Sequence, residues 1–451
     1  MTHRAASEPQ SATSPRRTSN ALRTLLSNEL VWAGALLIVG TLIARFRLPG
    51  VIRNTLWAED GPVFLADRLH RGSWASLFTI YDGYLHLVPR LLTDLAVAVA
   101  PLESFALVAA DLSFVCAGFV AALVFLLSRE LVPNTTLRLI LASTTFLLPA
   151  LPVEVLGNLA NLHWYFLWLA PWLFLYRPKS WRAATVVGFI GLLMALTEIQ
   201  MVFFAPLALV NLKDRKANLA AALTLGGLLA QFVCTLLAPR QRFDVGRPGP
   251  IDVLHGYVQL PVLATFEGHV ARVGAFVADA GGASLLVLAG VALAVLAVAL
   301  LPVVFGRGRV RVLSAALIVG SVVTWSAAVW LNPNPAFLYA HYDPGQVRLL
   351  ASTRYLVVPS TLITASLIVS ASFLLTRGRR GVFAAGAIVG VLLLAMIGSY
   401  RLDGFNRTGG PQWSDEVATR SVECADDVRE LIVPISPPGW SVEVPCSELG
   451  R

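Results

Sequence analysis

Residues 29–48 read ELVWAGALLIVGTLIARFRL, an apolar run long enough to cross a bilayer as one helix. A helix rises about 1.5 Å per residue, so about 20 residues span the ~30 Å hydrocarbon core. The run exceeds the apolar core of a typical signal peptide, and no convincing small-residue cleavage site follows it. It therefore predicts a first membrane-spanning helix, and comparable apolar runs recur along the chain.

The composition agrees with a protein that crosses a membrane many times. Of its 451 residues, 56% are hydrophobic and only 14% are charged, and the mean hydropathy is +0.69. A soluble domain, whose surface must be wetted, is far less apolar. The formal net charge of +8 is explained by cytoplasmic loops rich in Lys and Arg, and the sequence has no basic groove with aromatic residues, so nucleic acid is not an expected partner.

Basic clusters set the expected orientation. Residues 1–28 are rich in Ser, Thr, Arg and Pro and predict a disordered cytoplasmic tail, which carries Arg16, Arg17 and Arg23. Placing the later clusters on the same side requires about eleven crossings over 29–400 and puts the C-terminus outside. The clusters lie at 129–138, 177–182, 213–216, 306–311 and 377–380. The expected helices are 29–48, 104–128, 138–152, 162–176, 183–197, 199–212, 217–238, 283–305, 312–331, 354–376 and 381–399.

Residues 49–103 form the first large external loop in this arrangement. Its second half, 83–101, is apolar enough to resemble a span, but a crossing there would move every later basic cluster outside. We therefore expect an interfacial or re-entrant helix over 83–101. Segments 239–282 and 332–353 are also expected outside, and the helices at 183–197 and 199–212 are expected to be short or tilted.

The last part of the chain, 401–451, loses the apolar character and predicts a small external tail with one helix and a short strand. Cys424 and Cys446 lie in this tail, where a disulfide would stabilise a segment with little core of its own by about 3 kcal/mol. Two free thiols are the alternative. Cys116 and Cys234 lie in apolar helices and are expected to behave as small hydrophobic residues.

Two adjacent carboxylates, Glu59 and Asp60, follow the first span within LWAEDGPVFLADRLHRGSW, residues 56–74. In one interpretation they are solvated loop residues that cap a helix beginning near Pro62. In the other, a helix N-terminus holds them in a cavity that faces the lipid surface. A carboxylate held there can act as a general base on a hydroxyl group.

The layout resembles the GT-C (C-fold) membrane glycosyltransferases, with AEDG at 58–61, an amphipathic helix behind it, a second interfacial helix containing YLHLVPRLL, about eleven spans and an external tail. The resemblance implies an all-α polytopic fold in the bacterial inner membrane. It also implies inverting transfer of a sugar from a polyprenyl-phosphate donor to an envelope glycan, glycolipid or protein on the extracytoplasmic face. Glu59 or Asp60 would then be the general base. Many such enzymes carry Asp before Glu here, so the order does not choose between the two acids.

No cofactor is implied by this resemblance, because donors with a monophosphate leaving group often need no metal. The sequence has no second tight acidic cluster that would demand one, and a divalent metal, although compatible, is not indicated. The spacing of Cys and His residues also differs from that of a structural zinc site.

The leaving phosphate would need cationic groups at the depth of the acids, because charge that develops near lipid must be paired. Arg354 and Tyr355, at the outer mouth of the span over 354–376, are the best candidates. Arg348 precedes them, although an arginine there can equally extend to lipid headgroups. Arg90 is a further candidate, and His86 lies one helical turn away from it.

Other polar residues are expected to line the same cavity, namely Asn161, His163 and Glu198. Glu198 carries the strongest signal, because an ionisable group at membrane depth is costly and usually faces a cavity. These residues complete the expected substrate-binding set.

Three other functions remain open at this point. A transporter or lipid-linked oligosaccharide flippase would be expected to show inverted repeats, and the chain has no convincing internal duplication. A polysaccharide polymerase or ligase would depend more on external arginines than on an acid in the first loop. A structural membrane scaffold would not need a large polar first loop with an acid pair.

Overall fold

The computed structural model describes residues 28–239, 246–350, 353–402, 404–424 and 428–449. The predicted disordered tail over 1–28 lies outside the described residues except for Asn28. The described part is mostly helical, and its two strands lie near the C-terminus.

The helices follow the apolar runs of the sequence. In the first half they are α1 (Glu29–Arg47), α2 (Gly50–Arg53), α3 (Ala66–Leu77), α4 (Leu87–Val99), α5 (Phe105–Leu127), α6 (Thr135–Leu147), α7 (Leu162–Leu175), α8 (Trp181–Ala195) and α9 (Arg215–Leu237). In the second half they are α10 (Pro250–Tyr257), α11 (Val270–Ala280), α12 (Gly282–Phe305), α13 (Gly308–Leu331), α14 (Pro344–Arg348), α15 (Val357–Leu374), α16 (Gly378–Gly398) and α17 (Trp413–Ser421).

Tighter and wider helical turns connect several of these helices. The 3₁₀ segments are Ala58–Asp60, Leu102–Ser104, Leu151–Val153, Ile199–Asn211, Pro335–Phe337, Tyr339–His341, Arg354–Leu356 and Cys446–Glu448, and the π-helical turns are Gly61–Leu65 and Val258–Val262. The strands are β1 (Glu430–Ile435) and β2 (Trp440–Pro445), which pair antiparallel. The predicted tail thus has its one helix, but two strands instead of one.

Within the described residues, eight helices are long and apolar enough to cross a membrane. They are Glu29–Arg47, Leu102–Leu127, Thr135–Val153, Arg215–Leu237, Leu286–Phe305, Gly308–Leu331, Arg354–Leu374 and Gly378–Gly398. Three of the expected spans are shorter apolar helices instead, Leu162–Leu175, Trp181–Ala195 and Ile199–Asn211. By helix length and composition the chain is a multi-pass membrane protein.

The first loop, for which an external position is predicted, contains two helices that pack against each other. Helix α4 covers most of the segment for which an interfacial helix is predicted, and it is not among the eight long spans. Arg90 on α4 donates to Asp67 on α3 over 2.8 Å, and Arg68 on α3 pairs with Asp94 on α4. The two ion pairs hold α3 and α4 together. The interfacial position of α4 stays a prediction.

The described basic clusters gather at one end of the helical bundle, which we call the basic end. Contacts between connecting segments establish this grouping. They join Arg129 and Arg138 to Glu29, Arg309 to Glu130 and to the Leu175 carbonyl, Lys216 to the Lys179 carbonyl, and Arg377 to the Phe305 carbonyl. The clusters that the sequence analysis assigned to one side of the membrane thus lie on one side of the bundle.

Arg47 joins the C-terminal ends of α1, α6 and α16. Its buried side chain lies at the end of α1, and its guanidinium donates to backbone carbonyls in the last turn of α6 and directly after α6 and α16. The acceptors are Phe146, Leu148, Pro149, Ser399 and Tyr400. Carbonyl oxygens at helix C-termini lack partners within the helix, so this one cation satisfies several of them at once.

The C-terminal tail packs on the first loop. Ala58 donates its backbone N–H to the Ser436 carbonyl over 2.6 Å, and Ser436 donates to the Leu56 carbonyl over 3.1 Å. Trp413 on α17 donates its backbone N–H to Asn54 over 2.8 Å and its indole N–H to the Leu102 carbonyl over 2.7 Å. The tail is therefore part of the bundle's end and covers the first loop.

The predicted disulfide between Cys424 and Cys446 is confirmed, and it closes a loop with a sequence separation of 22. Cys446 follows β2 directly, and its backbone N–H donates to the Arg429 carbonyl over 2.9 Å. The bond thus fixes both ends of the hairpin relative to the segment after α17.

Replacing Cys446 by Ser is expected to lower the free energy of unfolding of the tail by about 3 kcal/mol, because the open chain regains loop entropy. Denaturant unfolding in detergent, followed by the fluorescence of the tail tryptophans, measures this loss. Cys234→Ser, which changes a free thiol in α9, is the matched control and is expected to stay close to the parent. Equal stability of the parent and Cys446→Ser proteins would contradict a stabilising role for the disulfide.

Candidate functional site

A cavity of about 660 Å³ lies at the end of the bundle opposite the basic end. Its wall combines seven parts of the chain. They are the first loop, the N-terminal end of α7, the start of the 3₁₀ helix at 199–211, Thr235 of α9, the end of α13 with the residues after it up to Phe337, the pair Arg354 and Tyr355, and Trp440 of β2. The cavity thus collects polar groups from segments that are far apart in sequence.

A second cavity, of about 480 Å³, lies at the basic end. Two of its four basic residues are paired, Arg129 with Glu29 over 2.9 Å and Arg309 with Glu130 over 2.6 Å, and Arg177 and Lys179 also line it. The cavity near Glu59 is larger and combines acidic, basic, histidine and aromatic side chains, and it is the candidate site.

The backbone around Glu59 is held by the tail hairpin. The hydrogen bonds of Ser436 fix Leu56 and Ala58, and Ala58 has φ of 45°, in the left-handed region that residues with a Cβ seldom adopt. Such a conformation costs about 1–3 kcal/mol and persists only where the surroundings impose it. A Cβ at Gly61 would approach Val442 to 2.5 Å, so the hairpin touches the turn directly. Glu59 therefore sits on a fixed backbone.

The Glu59 carboxylate lies at the cavity wall with unused capacity to accept a proton. Its side chain is 16% exposed, and Oε1 lies 3.6 Å from Nη1 of Arg354. The other oxygen, Oε2, is buried and makes no hydrogen bond within the described residues. A carboxylate oxygen without a donor is unusual in a protein interior. Glu59 thus has the geometry expected of a general base, and its catalytic role stays a prediction.

Arg354 lies between two carboxylates. Its Nη1 is 3.7 Å from Oε1 of Glu154, and its backbone N–H donates to Oε2 of Glu154 over 2.9 Å. Asn406 of the tail donates to the same oxygen over 3.3 Å. Burial raises the pKa of Glu154, and the positive charge of Arg354 opposes that shift. Glu154 therefore braces Arg354 through both its guanidinium and its backbone N–H.

Asp60 has a different environment from its neighbour. It is buried, and its two carboxylate oxygens accept backbone N–H groups of Leu159 over 3.0 Å and Ala160 over 2.6 Å. Burial raises the pKa of Asp60 to about 7, although these two hydrogen bonds and the nearby Arg407 guanidinium oppose the shift. Asp60 is not part of the cavity wall. Its contacts suit a role in holding the segment before α7.

His86 lines the cavity within an aromatic group. Its ring centroid lies 3.8 Å from that of Tyr84, 5.5 Å from Phe64 and 5.8 Å from Tyr81. Burial lowers the pKa of His86 well below its usual value, so the imidazole is neutral. Arg90, expected beside it as a phosphate contact, is not in the cavity wall and pairs with Asp67 instead.

The structure brings together some of the other expected binding residues and separates others. Tyr355 lines the cavity beside Arg354, whose guanidinium lies 5.6 Å from the Tyr355 ring centroid. Asn161 is buried behind the wall and accepts the Trp164 indole N–H over 3.1 Å. Arg348 is exposed, pairs with Asp279 and does not line the cavity.

His163 and Glu198 form a buried pair in the cavity wall. Nδ1 of His163 contacts Oε2 of Glu198, and Oε1 of Glu198 accepts the backbone N–H of Gln200 over 2.6 Å. Both oxygens of the Glu198 carboxylate are therefore engaged. The pair connects the start of α7 to the start of the 3₁₀ helix at 199–211.

The residues of the site that the sequence analysis did not propose include Glu154 and Trp440. Glu154 lies in an apolar segment that follows a span. An ionisable group at membrane depth is energetically costly and usually faces a cavity, and this argument, applied above to Glu198, applies equally to Glu154. Trp440 left no such signal, because its position in the cavity depends on the pairing of the tail with the first loop.

One group of side chains in the described part of the chain has metal-ligand geometry, namely His70, Glu430 and Glu443. All three are exposed, and none of them lines the cavity. His70 lies 3.4 Å from Glu430, so an ion pair accounts for their proximity.

Asp60→Asn is expected to change the pH dependence of stability. The folded protein keeps a proton on Asp60 up to about pH 7, whereas the unfolded chain releases it above about pH 4. The stabilisation is complete below the lower pH and is lost as pH rises towards the upper one. Between pH 5 and pH 7, the free energy of unfolding of the parent protein is expected to fall by up to about 3 kcal/mol relative to Asp60→Asn. Thermal unfolding in detergent at several pH values tests this, and parallel pH curves for the two proteins would contradict it.

A scan against models of known protein families matched none of them, and a search of curated proteins found no match. The geometry of the cavity is therefore the basis for assigning a function.

Proposed function

We propose that the protein is a GT-C-like membrane glycosyltransferase of the bacterial inner membrane. It would transfer a sugar from a polyprenyl-phosphate donor to a hydroxyl of an envelope glycan, glycolipid or protein on the extracytoplasmic face. The observation that carries the proposal is the Glu59 carboxylate in the wall of the 660 Å³ cavity. One oxygen faces Arg354 at 3.6 Å, and the other lacks a hydrogen bond within the described residues.

We further propose eleven crossings, which add the three short apolar helices to the eight long ones. Contacts at both ends of the short helices support this count. His163 and Glu198, at one end, line the cavity. At the other end, Asn211 donates to the Phe174 carbonyl over 3.3 Å, next to the basic cluster at 177–182. Because Lys and Arg favour the cytoplasmic side, the cavity would face outward, as would the C-terminal tail.

The shortness of these helices would set the cavity into the membrane. A helix of 14 residues is only about 21 Å long, against ~30 Å for the hydrocarbon core. If its cytoplasmic end lies at the membrane surface, its outer end lies below the opposite surface. A cavity at that depth suits a donor whose phosphate lies at the headgroups and whose chain lies in the lipid.

The chemistry would be a single displacement at the sugar's anomeric carbon. The acceptor hydroxyl donates a hydrogen bond to Glu59 and attacks the face opposite the phosphate, which inverts the configuration. Its proton passes to Glu59 as the bond to the phosphate oxygen breaks. Arg354 orients the carboxylate, and Glu154 holds Arg354 in place.

Aromatic rings give the cavity surfaces for a sugar or an isoprenoid. The centroids of Trp164 and Tyr355 lie 5.8 Å apart, and those of Phe337 and Tyr355 also lie 5.8 Å apart. Trp440 adds a ring from the tail. Such rings bind the apolar faces of sugars while their polar edges stay hydrated.

Glu59→Gln is expected to reduce product formation at least about 100-fold, because the amide cannot take the acceptor proton. A panel of radiolabelled polyprenyl-phosphate sugars is offered, together with an envelope extract as the source of acceptor, to the purified full chain in lipid nanodiscs, and labelled product separated from the donor is counted. Glu416→Gln, on the tail helix and outside the cavity, is the matched control and is expected to retain activity. Full activity of both Glu59→Gln and Asp60→Asn would refute an acid-dependent transfer.

Trp440→Ala is expected to raise KM for the donor or the acceptor by about tenfold while the protein stays folded, because an aromatic face of the cavity is lost. Trp74→Ala provides the control, since Trp74 is 76% exposed on α3 and does not line the cavity. Steady-state kinetics, with the donor and acceptor concentrations both varied, measure KM for the Trp440→Ala and Trp74→Ala proteins. An unchanged KM for both substrates would mean that the hairpin holds Glu59 without touching the ligand.

A further inference from the structure

The pair formed by His163 and Glu198 has the arrangement of an oriented acid–base group. An ionised carboxylate only accepts hydrogen bonds, so the contact with Glu198 makes Nδ1 of His163 a donor. The other ring nitrogen, Nε2, has no hydrogen-bond partner in the described ranges. Because His163 is in the cavity wall, Nε2 is available to a ligand there.

The cavity needs a cation that Arg354 alone does not supply. Arg354 already faces two carboxylates, those of Glu59 and Glu154, at 3.6 and 3.7 Å. A phosphate that approached Arg354 would meet a cation whose guanidinium already faces two acidic side chains. A protonated His163 would give it a charge-assisted donor.

Two neighbouring aromatic groups fix the position of His163 relative to Glu59. The His163 ring centroid lies 4.2 Å from that of Trp164, and Trp164 packs edge-to-face on Tyr355 at 5.8 Å. Tyr355 is in turn next to Arg354 and hence to Glu59. The two acid–base groups thus line the same cavity and are connected through the rings of Trp164 and Tyr355.

We propose that His163, held as an imidazolium by Glu198, binds the phosphate of a polyprenyl-phosphate ligand and protonates it during transfer. This proposal rests on the proposed function. The acceptor oxygen forms its bond to the anomeric carbon and loses its proton to Glu59. The bond between that carbon and the phosphate oxygen breaks with its electron pair on the oxygen. That oxygen takes the proton from Nε2, and His163 becomes neutral.

The test uses polyprenyl monophosphate, which every donor of this class releases. Its affinity for the full chain in nanodiscs is measured by native mass spectrometry between pH 6 and pH 8, with the uncharged polyprenol as the comparison ligand. The parent protein is expected to bind the phosphate at pH 6 about tenfold more tightly than His163→Gln does, and the difference should shrink as pH rises. Glu198→Gln is also expected to bind the phosphate less tightly than the parent does at pH 6. His341→Gln, at an exposed histidine outside the cavity, is the control.

Other titratable groups do not explain such a difference. The acidic and basic groups that share the wall with His163 are Glu59, Asp82, His86, Glu198 and Arg354. His86 is neutral in this range, and burial raises the pKa of Tyr84 well above its usual value. Asp60, behind the wall, titrates at about pH 7. Asp60→Asn is therefore measured in parallel and should keep the parent's pH dependence of binding.

The outcomes separate the two proposals. In one outcome, the parent protein prefers polyprenyl monophosphate over polyprenol, and His163→Gln binds the phosphate as tightly as the parent does at pH 6 and at pH 8. The role of His163 is then refuted, and the proposed function stands. If the parent shows no preference for the phosphate, both proposals fail. Transfer provides a second readout, and His163→Gln is expected to lower kcat about 100-fold. A change in KM alone would limit His163 to binding and remove the protonation step.

Discussion

The pairing of Ser436 with Leu56 and Ala58 is the contact on which the rest of the site depends. Two backbone hydrogen bonds join the tail hairpin to the segment that carries Glu59. They fix the left-handed conformation of Ala58 and bring Trp440 to the cavity. They also set a constraint on the whole chain, because the first loop and the tail must end on the same face of the bundle. A helix count that placed them on opposite faces would leave the cavity without one wall.

Backbone strain and charge are concentrated at this cavity. Among the described residues, three with a Cβ have positive φ, namely Ala58, Asp82 and His86, and all three flank or line the cavity. Strain of this kind persists where packing over-determines the backbone and is common at functional sites. The carboxyl groups of Glu59 and Glu154 both approach one guanidinium, so packing and electrostatics together fix the geometry of the group.

The sequence predicted those features that depend on local composition. The long apolar runs became helices close to the expected positions, the basic clusters gathered at one end, and Cys424 and Cys446 are bonded. The position of Glu59 after the first span followed from the same pattern. The distinction between Glu59 and Asp60 did not, because it depends on N–H groups about 100 residues away in the chain.

The arginines illustrate the same limit. Sequence reasoning can place an arginine at a membrane boundary, but its partner decides what it does. Arg354 faces Glu59 and Glu154, Arg90 is neutralised by Asp67, and Arg348 by Asp279. Each of these partners lies in another segment and has no periodic relation to the arginine. Only the tertiary fold separates the arginine in the cavity from the two outside it.

The three predicted spans that are short in the structure also bring buried polar residues to the cavity, and both features have one physical cause. Helices α7, α8 and the 3₁₀ helix at 199–211 are shorter than the eight helices that are long and apolar enough to cross a membrane. Their ends at the cavity carry or adjoin His163 and Glu198, whose buried polar groups would be costly against lipid. Full-length apolar helices there would fill the space with hydrocarbon side chains. A helix that ends early exposes backbone and ionisable groups to an internal cavity, where another segment or a ligand can satisfy them. The short helices and the polar cavity are therefore two aspects of one arrangement.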